Sequence, residues 1–92
     1  MNMTFENIIN NIINVCKNNE VAHLYLFGSY AKGTNTKGSD IDIVVKGVKN
    51  IHKLKEDIDN IKTLETIDIF NYDKCLNKYL REDIDKYAKI IY

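Results

Sequence analysis

One tripeptide, Asp-Ile-Asp, occurs three times in this 92-residue chain, at 40–42, 57–59 and 83–85. Two carboxylates one residue apart can act together only if the backbone sends both the same way. In a strand, positions i and i+2 leave one face about 6.5–7 Å apart, at about 3.3 Å of rise per residue. In a helix the same positions diverge by about 200° around the axis. Asp57, Asp59, Asp83 and Asp85 stand in helical patterns beside Ile58 and Ile84, so their carboxylates are expected to face solvent and pair with lysines three or four positions away. Asp40 and Asp42 instead open the apolar run "DIDIVV". Carboxylates sharing a strand face repel each other. A divalent cation removes that repulsion, and an oxygen-only donor set selects Mg²⁺ or Mn²⁺ over zinc.

A third acid fits this geometry. Asp68 lies between Ile67 and Ile69 in "TIDIFNY". If that strand pairs beside the one holding Asp42, three carboxylates converge on one face as a platform for divalent metal. The alternative is that Asp68 faces solvent on a half-exposed sheet. Upstream, an extended run ends at Phe27, and Gly28-Ser29 begins "GSYAKG". Glycine permits close backbone approach, and the free N–H groups of a short helical turn, with a serine hydroxyl, suit a phosphate. Alone, such a serine is more commonly an N-cap. The stretch "GTNTKGS" (33–39) looks like a Walker A loop but has no Lys after its second glycine and leads into a strand, so that reading fails.

These residues need elements to hold them. Phe5, Ile8, Ile9, Ile12, Ile13 and Cys16 recur at helical spacing behind Thr4 as N-cap. Strands are expected over 21–27, 41–45 and 66–72. Helical spacing returns at Ile51, Leu54, Ile58 and Ile61, and again through Leu76, Tyr79, Leu80, Ile84, Tyr87 and Ile91. The order is α-β-β-α-β-α, which predicts one α/β (α+β) domain over 1–92, a small mixed sheet with flanking helices.

Composition narrows the partners. Lys+Arg and Asp+Glu number 13 each, so no global charge draws the chain to nucleic acid or an anionic membrane. No apolar run approaches the roughly 20 residues that span a bilayer, and the polar residues between the first isoleucines do not make a signal peptide. Cys16 and Cys75 fit no metal or redox spacing; two reduced thiols in a cytoplasmic protein are expected.

The combination Gly-Ser, ten residues, Asp-x-Asp, then a strand Asp resembles the nucleotidyltransferase superfamily with the DNA polymerase β-like fold, and in its short length the minimal nucleotidyltransferase (MNT) group. The likeness runs through "LYLFGSYAKG", "SDIDIVV", "TIDIF" and "YLREDIDKYAKIIY". It implies that Gly28 and Ser29 hold the β- and γ-phosphates of ATP, that Asp40 and Asp42 bind two Mg²⁺, and that Asp68 completes one metal site and helps deprotonate the attacking hydroxyl. Lys32 stands where the family usually has Arg, which keeps the charge but not a bidentate grip. MNT proteins commonly pair with HEPN-domain ribonuclease toxins as antitoxins, and members transfer AMP to a tyrosine of that partner. The resemblance thus implies a hetero-oligomer with a toxin and an adenylyltransferase antitoxin, or alternatively a module that neutralises by binding alone. His23 and His52 receive no role; Tyr30 and Lys37 are read by default as a core or rim aromatic and a solvated loop lysine.

Overall fold

The computed structural model describes residues 4–92; residues 1–3, part of the expected domain, lie outside the described residues. Helix α1 (Phe5–Asn18) starts where expected, with Thr4 Oγ1 accepting the Asn7 N–H at 3.1 Å. Glu6 in its first turn and Lys17 in its last complement the helix dipole. Its isoleucine stripe buries Ile8, Ile12 and Cys16. Strand β1 (His23–Phe27) runs directly into the short helix α2 (Gly28–Lys32), which ends on Gly33 in the left-handed region. An exposed loop then leads to β2 (Ile41–Lys46). Helix α3 (Ile51–Asp59) is capped by the Asn50 side chain, and β3 (Ile67–Asn71) follows. A 3-10 turn (Tyr72–Lys74) precedes α4 (Lys78–Tyr87), capped by Asn77, and the two-residue strand β4 (Lys89–Ile90).

The sheet order is β3-β2-β1-β4. β1 is antiparallel to both β2 and β4, while β2 and β3 are parallel and joined through α3. Alternation along β2 separates two faces. Ile41, Ile43 and Val45 join Leu24 and pack with Ile8, Ile12, Cys16, Leu54 and Ile58 into one core. Fully burying each such side chain contributes about 1.5–3 kcal/mol, so this face anchors the sheet on α1 and α3. Asp42, on the alternate face, is held by a strand whose position the core has already fixed.

The C-terminal region differs from its periodicity. Leu76 precedes α4 and is 98% exposed, and Tyr79 is 78% exposed, so neither lies on a buried stripe. Only Ile84 of α4 is buried. After Tyr87 the chain becomes extended: Ile91 N–H donates to Leu24 O at 2.8 Å and Tyr92 Oη to Val21 O at 3.0 Å. A two-residue strand is too short for its period to register in sequence, and its pairing depends on the free edge of β1. Cys16 and Cys75 are free thiols, and burial pushes the Cys16 thiol up to about 12. No helix of the described residues is long and apolar enough to cross a membrane.

Candidate active site

Register places the acids. Asp42 is the cross-strand partner of Phe27 on β1 and of Asp68 on β3. Facing residues on paired strands share a face, and strands lie about 4.8 Å apart, so the two carboxylates stand side by side. The Asp42 carboxyl lies above the usual carboxylate range. Burial is the main cause, followed by the negative charges of Asp68 and Asp40 and then the close approach of the Asp68 side chain. The pair therefore sits in a place short of positive charge.

Asp40 lies one residue ahead of β2 and is exposed; it adds to the field at Asp42 without closing the cluster. Among the described residues no three His, Cys, Asp or Glu side chains stand close enough to form a complete metal cage. What is present is a facing pair of carboxylates with a third in electrostatic range. That set suits a hard divalent cation such as Mg²⁺, which keeps several waters and takes one or two carboxylates plus substrate phosphates rather than an all-protein cage.

The glycine turn meets this pair directly. Gly28 has φ +66°, and a Cβ added there would overlap Asp42 Oδ2 and come within 3.1 Å of its Cγ. Glycine is thus required twice, for the backbone conformation and for the approach to the carboxylate. Ser29 is the second residue of α2, whose N-cap is Phe27, and no side chain caps that helix. The N-cap reading of Ser29 is therefore replaced: its hydroxyl stands inside the first turn, beside N–H groups that no cap side chain takes. Any anion held by this turn lies against the Asp42–Asp68 pair.

The other residues fall elsewhere. Lys32 is exposed, with its ammonium 4.7 Å from the centroid of the Tyr87 ring on α4. Tyr30 stacks on Phe5 at 4.7 Å and 2° between planes, a structural contact. His23 pairs with Lys46, at the far end of β1 from the Phe27–Asp42 pair, and His52 is exposed on α3. Lys37 is exposed in a loop whose Thr36 N–H donates to Ser39 Oγ at 2.8 Å. Gly38, with φ +88°, is a turn glycine, and β2 follows the Walker-like stretch. Asp57 accepts from Lys53 Nζ at 2.7 Å and Asn19 Nδ2 at 3.0 Å, and these two hydrogen bonds, the lysine's the stronger, hold its carboxyl below the usual range. Asp85 accepts from Tyr72 Oη at 2.7 Å. The sequence reading left out the edge-to-face pair Phe27–Phe70, centroids 6.1 Å apart, on the same sheet face as the acids. Its signal was present in the alternation of "IDIF", which puts Phe70 two residues from Asp68.

A mixed sheet carrying an acid pair on adjacent strands, with a glycine turn seated on one of the acids, has the architecture of a nucleotidyltransferase. Residues 10–92 match the family model described as "Polymerase beta, Nucleotidyltransferase", and the chain belongs to that family. No protein of curated function matches it. Among solved structures it is similar to a chain of a toxin-antitoxin crystallised with AMP-PNP, at 28% identity and TM-score 0.68, covering 90% of this chain and 71% of that one. It is also similar to a chain of a mutant toxin-antitoxin MntA-HpeT, at 27% identity and TM-score 0.65, covering 91% and 71%. A second mutant of that pair, at 23% identity and TM-score 0.64, covering 90% and 70%, shows the fold alone.

Proposed function

We propose that this chain is the antitoxin of a toxin–antitoxin pair and transfers AMP from ATP to a hydroxyl, a tyrosine's, on a HEPN-domain ribonuclease toxin with which it forms a hetero-oligomer in the cytoplasm. The observation that carries the reading is the Asp42–Asp68 pair with the Gly28 backbone against it. The relatives solved as toxin-antitoxin complexes, one of them with AMP-PNP, support the nucleotide and the protein partner. The HEPN class and the tyrosine acceptor come from the family resemblance.

Asp42 and Asp68, with Asp40 beside them, are the residues that would hold Mg²⁺, as two ions for which Mn²⁺ can substitute. Bound there, the metal would supply positive charge to the α-phosphate and the leaving pyrophosphate and ease deprotonation of the attacking hydroxyl. The N–H groups of the Gly28-Ser29 turn and the Ser29 hydroxyl donate to the β- and γ-phosphates. Asp68 accepts the proton of the acceptor hydroxyl, whose oxygen forms a bond to the α-phosphorus as the bond to the β-phosphate oxygen breaks. Pyrophosphate leaves, and AMP remains on the acceptor. Lys32 can join the phosphates only by leaving the Tyr87 ring.

A second reading is neutralisation by binding alone. The exposed Leu76 and Tyr79 favour it, as apolar surface beyond the acid pair. One variant separates the two. Asp68→Asn keeps the size of the side chain and removes its basicity, so transfer should fall by about 10²–10⁴-fold, the contribution of a positioned base. Intact mass of the toxin, read beside its ribonuclease activity, checks this. Loss of both modification and neutralisation supports the transferase; full neutralisation by an inert, folded Asp68→Asn protein supports the binder.

A further inference from the structure

The strand that carries Asp68, β3, is one of the two outer strands of the sheet. Thr66 O accepts the Ile41 N–H at 2.8 Å, so the main-chain groups of Thr66, Asp68 and Phe70 turn toward β2. By alternation those of Ile67, Ile69 and Asn71 turn outward. Among the described residues no hydrogen bond closes onto the outward groups of Ile67 or Ile69. A groove of about 340 Å³ lies along this edge, lined by Lys55 and Asp59 of α3 and by Ile67, Asp68, Ile69 and Phe70.

We infer that this edge is the acceptor site, and that the acceptor protein binds it as an extended segment added to the sheet beside β3, with its reacting hydroxyl on the residue opposite Asp68. The inference rests on the transferase reading for the chemistry of that hydroxyl. A row of unpaired main-chain donors and acceptors is matched by the backbone of another extended chain. Side chains in an added strand alternate between faces, so the residue opposite Asp68 projects onto the acid face, where Asp68 takes its proton. The residues on either side of it project to the Ile67 and Ile69 face, within the reach of Lys55 and Asp59. The acceptor sequence is therefore an aromatic or aliphatic hydroxyl residue flanked immediately on both sides by apolar ones. A nucleic-acid acceptor fits poorly, since the groove holds one lysine against two aspartates.

The test uses the full chain with MgCl₂ and ATP and a lysine-ended peptide of alternating Val and Thr around one Tyr, about ten residues long, the length of a long strand. Amide exchange is followed by NMR and AMP transfer by intact mass. The peptide should protect the Ile67, Ile69 and Asn71 amides. N-methylation of the peptide should weaken binding at every second nitrogen, by about fivefold or more for each hydrogen bond lost, and not at those between. Asn71 ends an edge strand with φ −89°, on the negative side where proline is tolerated at sheet edges, so Asn71→Pro removes one outward donor and leaves the ladder to β2 in place. It should weaken the peptide, whereas Asn71→Ala, which loses only the side-chain bond to the Asp73 N–H, should not. Protection with the two-residue period but no transfer upholds the docking edge and rejects the transferase reading. Transfer to the tyrosine without β3 protection, or without that period, leaves the transferase and overturns the docking edge. Protection that grows with chain concentration in the absence of peptide assigns the edge to a second copy and overturns it too, as does the lack of both protection and transfer at millimolar peptide.

Discussion

The triplets at 40–42 and 57–59 are identical in sequence and opposite in electrostatics. Asp57, on α3, has its charge met by Lys53 and Asn19, which hold its carboxyl low. Asp42, on β2, is half-buried between strands, and that burial, then its neighbours Asp68 and Asp40, push its carboxyl up. The helix turns its acids toward solvent and a lysine one turn back; the parallel pairing of β2 with β3 turns two acids toward each other. The charge left unmet at Asp42 is the charge the proposed cation would meet, whereas the charge already met at Asp57 makes the other a surface ion pair. Composition alone cannot separate them; the period of the surrounding apolar residues does.

The comparison breaks most decisively at Asp42. Asp42→Asn should lower AMP transfer by at least about 100-fold, since even losing a partner behind a metal ligand costs about 10–100-fold; the check is the rate of AMP addition to the toxin. Gly28→Ala comes next. A non-glycine residue held at positive φ costs about 1–3 kcal/mol, and the overlap with Asp42 Oδ2 should displace the carboxylate as well. Denaturant melts should show the destabilisation, and transfer should fall with it.

A subtler effect has the opposite sign. Ionising Asp42 costs more in the folded chain than in the unfolded one, because its folded pKa is raised. Below the ordinary carboxylate range both states are protonated and the cost is absent; it develops as pH rises through the raised pKa and is fully present at neutral pH. Metal-free Asp42→Asn protein should therefore melt higher than wild type at neutral pH, with the advantage vanishing in acid. Thermal melts in EDTA across that range check it, and a lower neutral-pH Tm for the variant would contradict it. The smallest effect belongs to Asp57→Asn and Asp83→Asn, which should leave transfer within about twofold, because both lie on helices that share no partner with the Asp42–Asp68 pair. For Asp57, whose pKa is lowered, the small stabilisation is present at neutral pH and is lost as pH falls through its folded pKa, so any Tm difference should disappear in acid.

Most of this was legible in the sequence where period and chemistry agreed. Thr4 as cap and the β2 and β3 strands follow from helical spacing and alternation, whereas the pairing of Asp68 beside Asp42 stood as a condition that the β2–β3 register meets. Two features were not legible. β4 depends on a free edge of β1 that only the folded sheet defines, and the exposure of Leu76 and Tyr79 reflects where α4 begins, after the 3-10 turn. At the site, "GSY" was readable as a turn, but the seating of Gly28 on Asp42 was not, because it depends on the antiparallel register that puts Phe27 opposite Asp42. The resting place of Lys32 on Tyr87 joins residues far apart in the chain and left no sequence signal.

The central claim, that one Asp-Ile-Asp of three is a metal site, is tested most directly by titrating Mn²⁺ with an ATP analogue into the isotope-labelled chain and mapping paramagnetic broadening. The expected result is early loss of the amide signals of Gly28, Ser29, Asp42 and Asp68, with those of Asp57, Asp59, Asp83 and Asp85 still sharp. Broadening centred on either helical triplet, or equal at all three, would contradict it.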